Sequence, residues 1–284
     1  PHRYTSVSLE PLGEDSSREL VASLLHVEDL PERVRALILR KAEGNPFFVE
    51  EVIRSLLDAK LVVREDSRWR ATREIENIAL PDTLAGVITA RLDRLDEESK
   101  RVAQTSAVIG REFPFDTLRD IHDSTGILDD SLVDLQRREL VRERSVVPRR
   151  VYMFKHALTQ EAAYGSLLLR RRRELHRRVA ECLQKIEPDS AHEIAGHFVE
   201  AGEPVLALPY LVDAGDRAAG AYSTPEAIDF YSRALEILET VDDLSLARRA
   251  YEGRGGALTF AGDVQRAVEN YHKMLHAAQE FGNH

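Results

Sequence analysis

Apolar residues recur at helical spacing along most of the chain, and the interruptions mark its elements. Residues 4–12 alternate enough for one short strand. A helix follows, with Leu20, Val21, Leu24 and Leu25 on one face. Pro31 opens a second helix, where its missing N–H costs nothing. Val34, Leu37, Ile38 and Lys41 mark the inner side of that helix, and Gly44 supplies a left-handed cap. Asn45 caps a third helix with Pro46 at its first position. Val49, Val52, Ile53, Leu56 and Leu57 form its apolar stripe. Glu50 and Glu51 fall in or near its first turns, where the macrodipole favours anions.

The pattern changes at 61–72, where Leu61-Val62-Val63, a polar turn and Arg68-Trp69-Arg70 predict a small hairpin. Pro81 restarts helix, with Leu84, Val87, Ile88, Leu92 and Leu95 on one stripe. Three more helical stretches run to about Leu140. Two short strands follow, at Leu140–Glu143 and Val151–Phe154, around a loop with Pro148. Three helices and such a wing describe a winged helix at about 81–160. From Ser190 onward a different template recurs: Ala207-x3-Leu211-x2-Ala214, Ala227-x3-Tyr231-x2-Ala234 and Ala267-x3-Tyr271-x2-Met274. Two of these segments follow Ala-Gly-acidic turns, Ala201-Gly202-Glu203 and Ala261-Gly262-Asp263. Small residues let paired helices approach, and the aromatic fills the groove, as in tetratricopeptide-type repeats. The spacings are uneven, 20 and then 40 residues, so the repeats read as degenerate. The fold class expected is mainly α: a helical lid and a winged helix followed by an α-solenoid.

Composition narrows the function. The 284 residues carry a net charge of −10, which argues against nucleic-acid binding over the whole surface. No apolar run approaches the length of a membrane span. The start, Pro1-His2-Arg3-Tyr4, lacks the order of a signal peptide and lacks Met, so an excerpt of a longer, cytoplasmic protein is expected. A repeat array that stops after few units should leave an apolar end uncapped, which points to truncation at the C-terminus as well. The single cysteine, Cys182, sits in an amphipathic helix context and reads as structural.

Familiar catalytic motifs are absent. No Gly-x4-Gly-Lys-Ser/Thr loop cradles phosphate, and no apolar strand ends in paired acids to hold magnesium. His192-Glu193-Ile194-Ala195-Gly196-His197 has one residue too many between its histidines for a zinc helix. At about 100° per residue the two imidazoles lie roughly 140° apart, so they read as ordinary helix histidines and no metal site is expected. This chain alone is expected to hydrolyse nothing.

The most informative segment is Ala42-Glu43-Gly44-Asn45-Pro46-Phe47-Phe48-Val49-Glu50-Glu51. Read from its residues, it is a helix stop, a tight turn and a helix start. It also resembles the Gly-x-Pro motif of signal-transduction ATPases with numerous domains (the STAND class, AAA-type). More narrowly, it is similar to the bacterial modules associated with class III adenylate/guanylate cyclases and large transcription regulators. Four further stretches resemble the same family in order: Leu9–Leu12; Leu80–Leu84 with Ala90–Leu95; Ser106–Phe113; and Phe154–Tyr164.

The resemblance implies a set of domains: the end of an upstream ATPase core at 1–12 and a helical lid with a hairpin at 13–79. A winged helix at 80–160, a linking helix region at 161–189 and incomplete tetratricopeptide-like repeats at 190–284 follow. It implies ADP or ATP as ligand, with magnesium in the parent chain. In this family the Gly-x-Pro proline packs on the adenine ring, so Pro46 is the contact carried over, with Gly44 and Asn45 of the same motif. A winged-helix histidine reaches the β-phosphate, and His156, at a helix start, is the match, although Lys155-His156-Ala157 departs from the familiar Met-His-Asp. A helix N-terminus suits a phosphate. The implied mechanism is a switch in which bound ADP holds the protein closed. A protein or small effector on the repeats then favours ATP, opening and self-association. The parent would be an ATPase and, through the associated domains, an adenylate or guanylate cyclase.

One more feature stands out. Residues 137–178 hold 13 Lys and Arg against 4 Glu. Such a band serves as a solvated helix face, as a docking surface for acids, or as a DNA contact. Asp129, Asp130 and Asp134 on the third wing helix would repel phosphates and weigh against DNA. A helical-repeat interaction module without nucleotide, or a winged-helix DNA-binding regulator, are the alternatives.

Overall fold

The computed structural model describes residues 10–25, 30–65, 68–123 and 126–282. Most of the segment read as a strand, 4–9, lies outside them, and Glu10–Gly13 is irregular. The chain divides into two compact units, 1–115 with 124–166 and 116–123 with 167–284.

The first unit begins with α1 (Glu14–Leu25), α2 (Glu32–Ala42) and α3 (Pro46–Asp58). Pro31 precedes α2 as its cap residue. The apolar stripes meet in one core in which Val34, Ile38, Val49, Val52, Leu56 and Ile75 are all essentially inaccessible. Burying each such side chain contributes about 1.5–3 kcal/mol. The hairpin β1 (Val62–Glu65) and β2 (Arg68–Ala71) pairs Val63 with Arg70 and folds the sole tryptophan, Trp69, against this core. A 3-10 turn at Arg73–Asn77 carries Ile75 into it. Lys41, placed on the inner side of α2, turns its ammonium to the Leu80 carbonyl and to Asp82 at 2.8 Å.

Helix α4 (Leu84–Leu92) begins later than the proline at 81 predicted. Thr83 is the cap, its hydroxyl accepting the Gly86 N–H at 3.1 Å, so the first orphan donors are satisfied there. Then come α5 (Glu97–Ile109), β3 (Glu112–Pro114), α6 (Phe115–Ile121), α7 (Leu128–Arg137), β4 (Val141–Ser145) and β5 (Val151–Phe154). This is the element order of a winged helix. The sheet runs β3-β5-β4, all antiparallel, with Phe113 opposite Tyr152 and Val141 opposite Phe154. Phe113, Tyr152 and Phe154 are buried, with the Phe113 ring against both of the others. Strand β3 was not read from the sequence, since three residues give too little alternation to register. Helix α8 (Ala157–Gly165) closes the first unit.

The second unit contains α6 apart from its first residue, then α9 (Leu169–Ile186), α10 (Ala191–Ala201), α11 (Pro204–Gly220), α12 (Thr224–Leu238), α13 (Leu244–Phe260) and α14 (Val264–Gly282). From α9 onward each packs on the next, and α11 also meets α13, as stacked helical repeats do. The region read as a linker, 161–189, is thus shared between the end of α8 and the whole of α9, in different units. In α11 and α12 the template residues face inward: Ala207, Leu211, Ala227, Tyr231 and Ala234 are at most 1% exposed, whereas on α14 Ala267 is buried and Tyr271 is exposed. The uneven spacing follows the helices: α11 and α12 are neighbours, whereas α14 lies two helices beyond α12, so the 20-residue step is one helix and the 40-residue step a helix pair. The Tyr231 ring fills the place of two side chains: a Cβ on Gly215 would sit 2.7 Å from it, and one on Gly253 would collide with it outright. Its hydroxyl donates to Asp216 at 2.6 Å.

Candidate functional site

The turn before α3 is built from four residues, Glu43, Gly44, Asn45 and Pro46. Glu43 and Gly44 both take left-handed backbone, with φ of 48° and 77°. At Gly44 a Cβ would run into the Leu12 carbonyl and Pro11, because the Leu12 N–H donates to the Gly44 carbonyl at 2.8 Å. Only glycine meets both demands cheaply. The Asn45 side chain accepts from the N–H groups of Phe47 and Phe48 and so caps α3 as expected. Pro46 occupies the first helical turn, and its ring is exposed.

His156 lies 110 residues further on, at the cap position of α8. The structure brings it to the start of α3: the Phe47 and His156 rings lie 4.0 Å apart, tilted by 43°. His156 Nε2 is buried and makes no hydrogen bond. Burial pushes the imidazole below its ordinary value, against the pull of Glu51 and Glu50, so the ring is neutral at pH 7. Of the four candidate residues, Gly44 and Asn45 are accounted for by the turn they make. Pro46 and His156 keep a face or an atom available.

Behind this junction lies an ionic lattice that the sequence reading missed. Arg91 of α4, 1% exposed, donates to Glu51 at 2.6 Å, to Asp58 at 2.8 Å and to the Arg138 carbonyl at 2.5 Å. Arg138 in turn reaches Asp134 at 2.8 Å. In front of it, Arg54 bonds Glu50 and Glu139, both at 2.6 Å, and Lys155 bonds Glu139 at 2.6 Å and Glu50 at 3.1 Å. Hydrogen bonding from Arg54, opposed by burial and reinforced by Lys155, holds the Glu139 carboxyl down to about 2. Burial raises Glu50, but Arg54 and Lys155 outweigh it and leave that carboxyl below its usual range. Glu50 and Glu51 are therefore not first-turn acids of α3, which has none. They tie α3 to α4, to the end of α7 and to the β5–α8 junction. One signal was present in the sequence: Arg91 falls on the α4 stripe, three residues after Ile88 and seven after Leu84.

The other sequence candidates also find their places. His197 does not pair with His192. Its Nδ1 lies 2.8 Å from Nδ1 of His176 on α9, inside the second unit. Much of the basic band is neutralised locally: Arg171 and Arg178 share Asp123, and Arg177 reaches Glu181 and Glu203. On α7, Asp129 is paired with Arg150 and Asp134 with Arg138. Among the described residues no three His, Cys, Asp or Glu side chains are grouped to hold a metal. Among them, too, no helix is long and apolar enough to cross a membrane.

Residues 13–70 match a family profile described as a domain of unknown function (DUF8739). No curated protein sequence matches the chain. Among solved structures it is similar to a signal transduction ATPase with numerous domains (STAND) protein with a tetratricopeptide repeat sensor, from Pyrococcus horikoshii. The identity is 13% and the TM-score 0.46, over 98% of this chain and 43% of that one. The chain thus spans less than half the length of that protein.

Proposed function

We propose that this chain is the regulatory part of a STAND-type signalling ATPase. The first unit is the lid and winged helix that close over ADP or ATP held by an upstream phosphate-binding core. The second unit is a helical-repeat sensor for a protein or small effector. The reading is supported by one juxtaposition. Two residues picked out 110 positions apart, Pro46 and His156, belong to helix starts that meet through Phe47. An exposed proline ring offers a flat apolar surface to an adenine without desolvating a polar group. A neutral His156 carrying its proton on Nε2 is a donor for a phosphate oxygen. Since Nε2 is buried, a phosphate reaches it only when this junction opens. The same opening would load the ionic lattice behind it, which is how nucleotide state would bias the position of the lid. The effector must then bind one state better than the other.

The test uses the full product of the gene. The sequence upstream of Pro1 should carry a Gly-x4-Gly-Lys-Ser/Thr loop. Equilibrium titration should then give weaker ADP binding for both Pro46→Ala and His156→Ala. Unchanged ADP affinity in both variants would remove the site assignment.

A second reading has an observation of its own. Val264, Val268, Tyr271 and Leu275 form an exposed stripe along α14, as a repeat surface for a protein partner would. It predicts partner capture that is indifferent to ADP.

A further inference from the structure

The second unit has a cavity of about 190 Å³ between α13 and α14, lined by Arg254, Leu258, Arg266, Glu269, Asn270 and Lys273. Three of the six are cations and one is an acid, in a chain that is acidic overall. From this we propose that the cavity binds the oxyanion group, carboxylate or phosphate, of a small molecule.

Arg254 is the centre of the argument. Its Nε donates to Asn270 Oδ1 at 2.7 Å, and its Nη1 approaches the Ser232 hydroxyl at 3.4 Å. Asn270, 2% exposed, is itself fixed by donating to the Tyr251 carbonyl at 2.8 Å. The guanidinium is therefore positioned by neutral groups and keeps donors to spare. The other arginines with shifted values nearby differ. Arg248 and Arg249 are raised by carboxylate partners, whereas burial pushes Arg254 below its ordinary value. Its hydrogen bonds go to amide and hydroxyl oxygens, the Tyr251 ring lies 5.8 Å away and Glu236 acts on it through charge without an ion pair, so this half-buried cation is stabilised by an incoming anion. Arg266 and Lys273 are seven residues apart on α14, two turns along one face, and both are exposed at the rim. Arg266 is partly balanced by Asp263 at 3.4 Å. Glu269 takes a hydrogen bond from Gln265 at 3.3 Å and gives the mouth a polarity. Leu258, 2% exposed, offers an apolar floor to the carbon part of the ligand. The volume exceeds the roughly 150 Å³ that accommodates benzene in an engineered cavity. The proposal is independent of the nucleotide reading, because every residue it uses lies in the second unit.

The experiment titrates the intact chain with pyrophosphate and, separately, with succinate at matched ionic strength. Calorimetry and the Asn270 side-chain amide resonance are the readouts. Saturable binding below about 10 mM is expected for at least one probe. Pyrophosphate alone would identify a phosphate ligand, succinate alone a carboxylate, and both a general oxyanion pocket. Arg254→Met should weaken binding about tenfold or more, and Lys273→Gln, at an exposed position, about threefold. Arg249→Gln, one turn away and paired to Asp213 and Asp216, should leave binding unchanged. If Arg254→Met does not fold, Lys273→Gln and Arg266→Gln decide the matter. The proposal is overturned if neither probe saturates, or if binding ignores the pocket variants.

Discussion

Two histidines that meet between α9 and α10, His176 buried and His197 half-buried, make the stability of the second unit depend on pH. Their Nδ1 atoms are 2.8 Å apart, so one ring donates its Nδ1 proton and the other accepts with a lone pair. A second proton on the pair would set two N–H groups against each other. Burial, with the facing His176 adding to it, lowers His197 to about 4. Burial also lowers His176, against Glu200 and helped by Arg172. In the unfolded chain a histidine titrates near 6.5. A lowered folded value means the unfolded chain binds more protons between these limits, so stability is full above about 6.5 and falls as pH drops towards 4. A shift of that size amounts to about 3 kcal/mol once complete, and about 2 kcal/mol by pH 5. That is a large share of the 5–15 kcal/mol typical of a domain. The assay is urea unfolding of the whole chain by far-ultraviolet circular dichroism at pH 7, 6, 5.5 and 5, for wild type and His197→Gln. The glutamine keeps a donor and an acceptor but does not titrate. Wild type should lose about 2 kcal/mol more than the variant between pH 7 and pH 5. Parallel profiles, within about 0.5 kcal/mol, would refute the reasoning, because every other titrating group is common to both chains.

Removing the hub of the ionic lattice should be costly. Arg91→Met leaves Glu51 buried without its partner, for a loss of about 3–5 kcal/mol in denaturant unfolding. Adding Glu51→Gln should recover more than half of that loss. Gly253→Ala drives a methyl into the Tyr231 ring and should cost about 1–3 kcal/mol, whereas Gly256→Ala, with open space around it, should be neutral or better. Phe47→Ala strips the ring that covers His156, so the His156 titration followed by NMR should move up towards its ordinary value.

What could be read from the sequence was local. Stripes such as Val49, Val52, Ile53 and Leu56 fix which face of α3 is buried, and Asn45 followed by proline fixes where α3 begins. The wing strands and the inward alanines of the repeats were equally plain, because each is a pattern within about 15 residues. The errors have a common physical origin. A helix dipole does not account for Glu50 and Glu51: Glu50 pairs with Arg54 one turn on, which is legible locally, but also with Lys155, and Glu51 with Arg91, 105 and 40 residues away. His197 was weighed against His192 on its own helix, while its partner is on α9. The late start of α4 depended on a hydroxyl, Thr83, competing with a proline at 81. For the candidate site, the turn residues were legible, and the meeting of Phe47 with His156 was not, since nothing local encodes it.

Trp69 has a practical consequence. It is the only tryptophan of the chain, and it leans on the core of the first unit while the second unit has none. Indole emission therefore reports on the α1–α3 core and its hairpin alone, and the helical signal of the second unit can be followed beside it. A chain whose two halves melt at different points would display the difference directly, without a label or a cut between them.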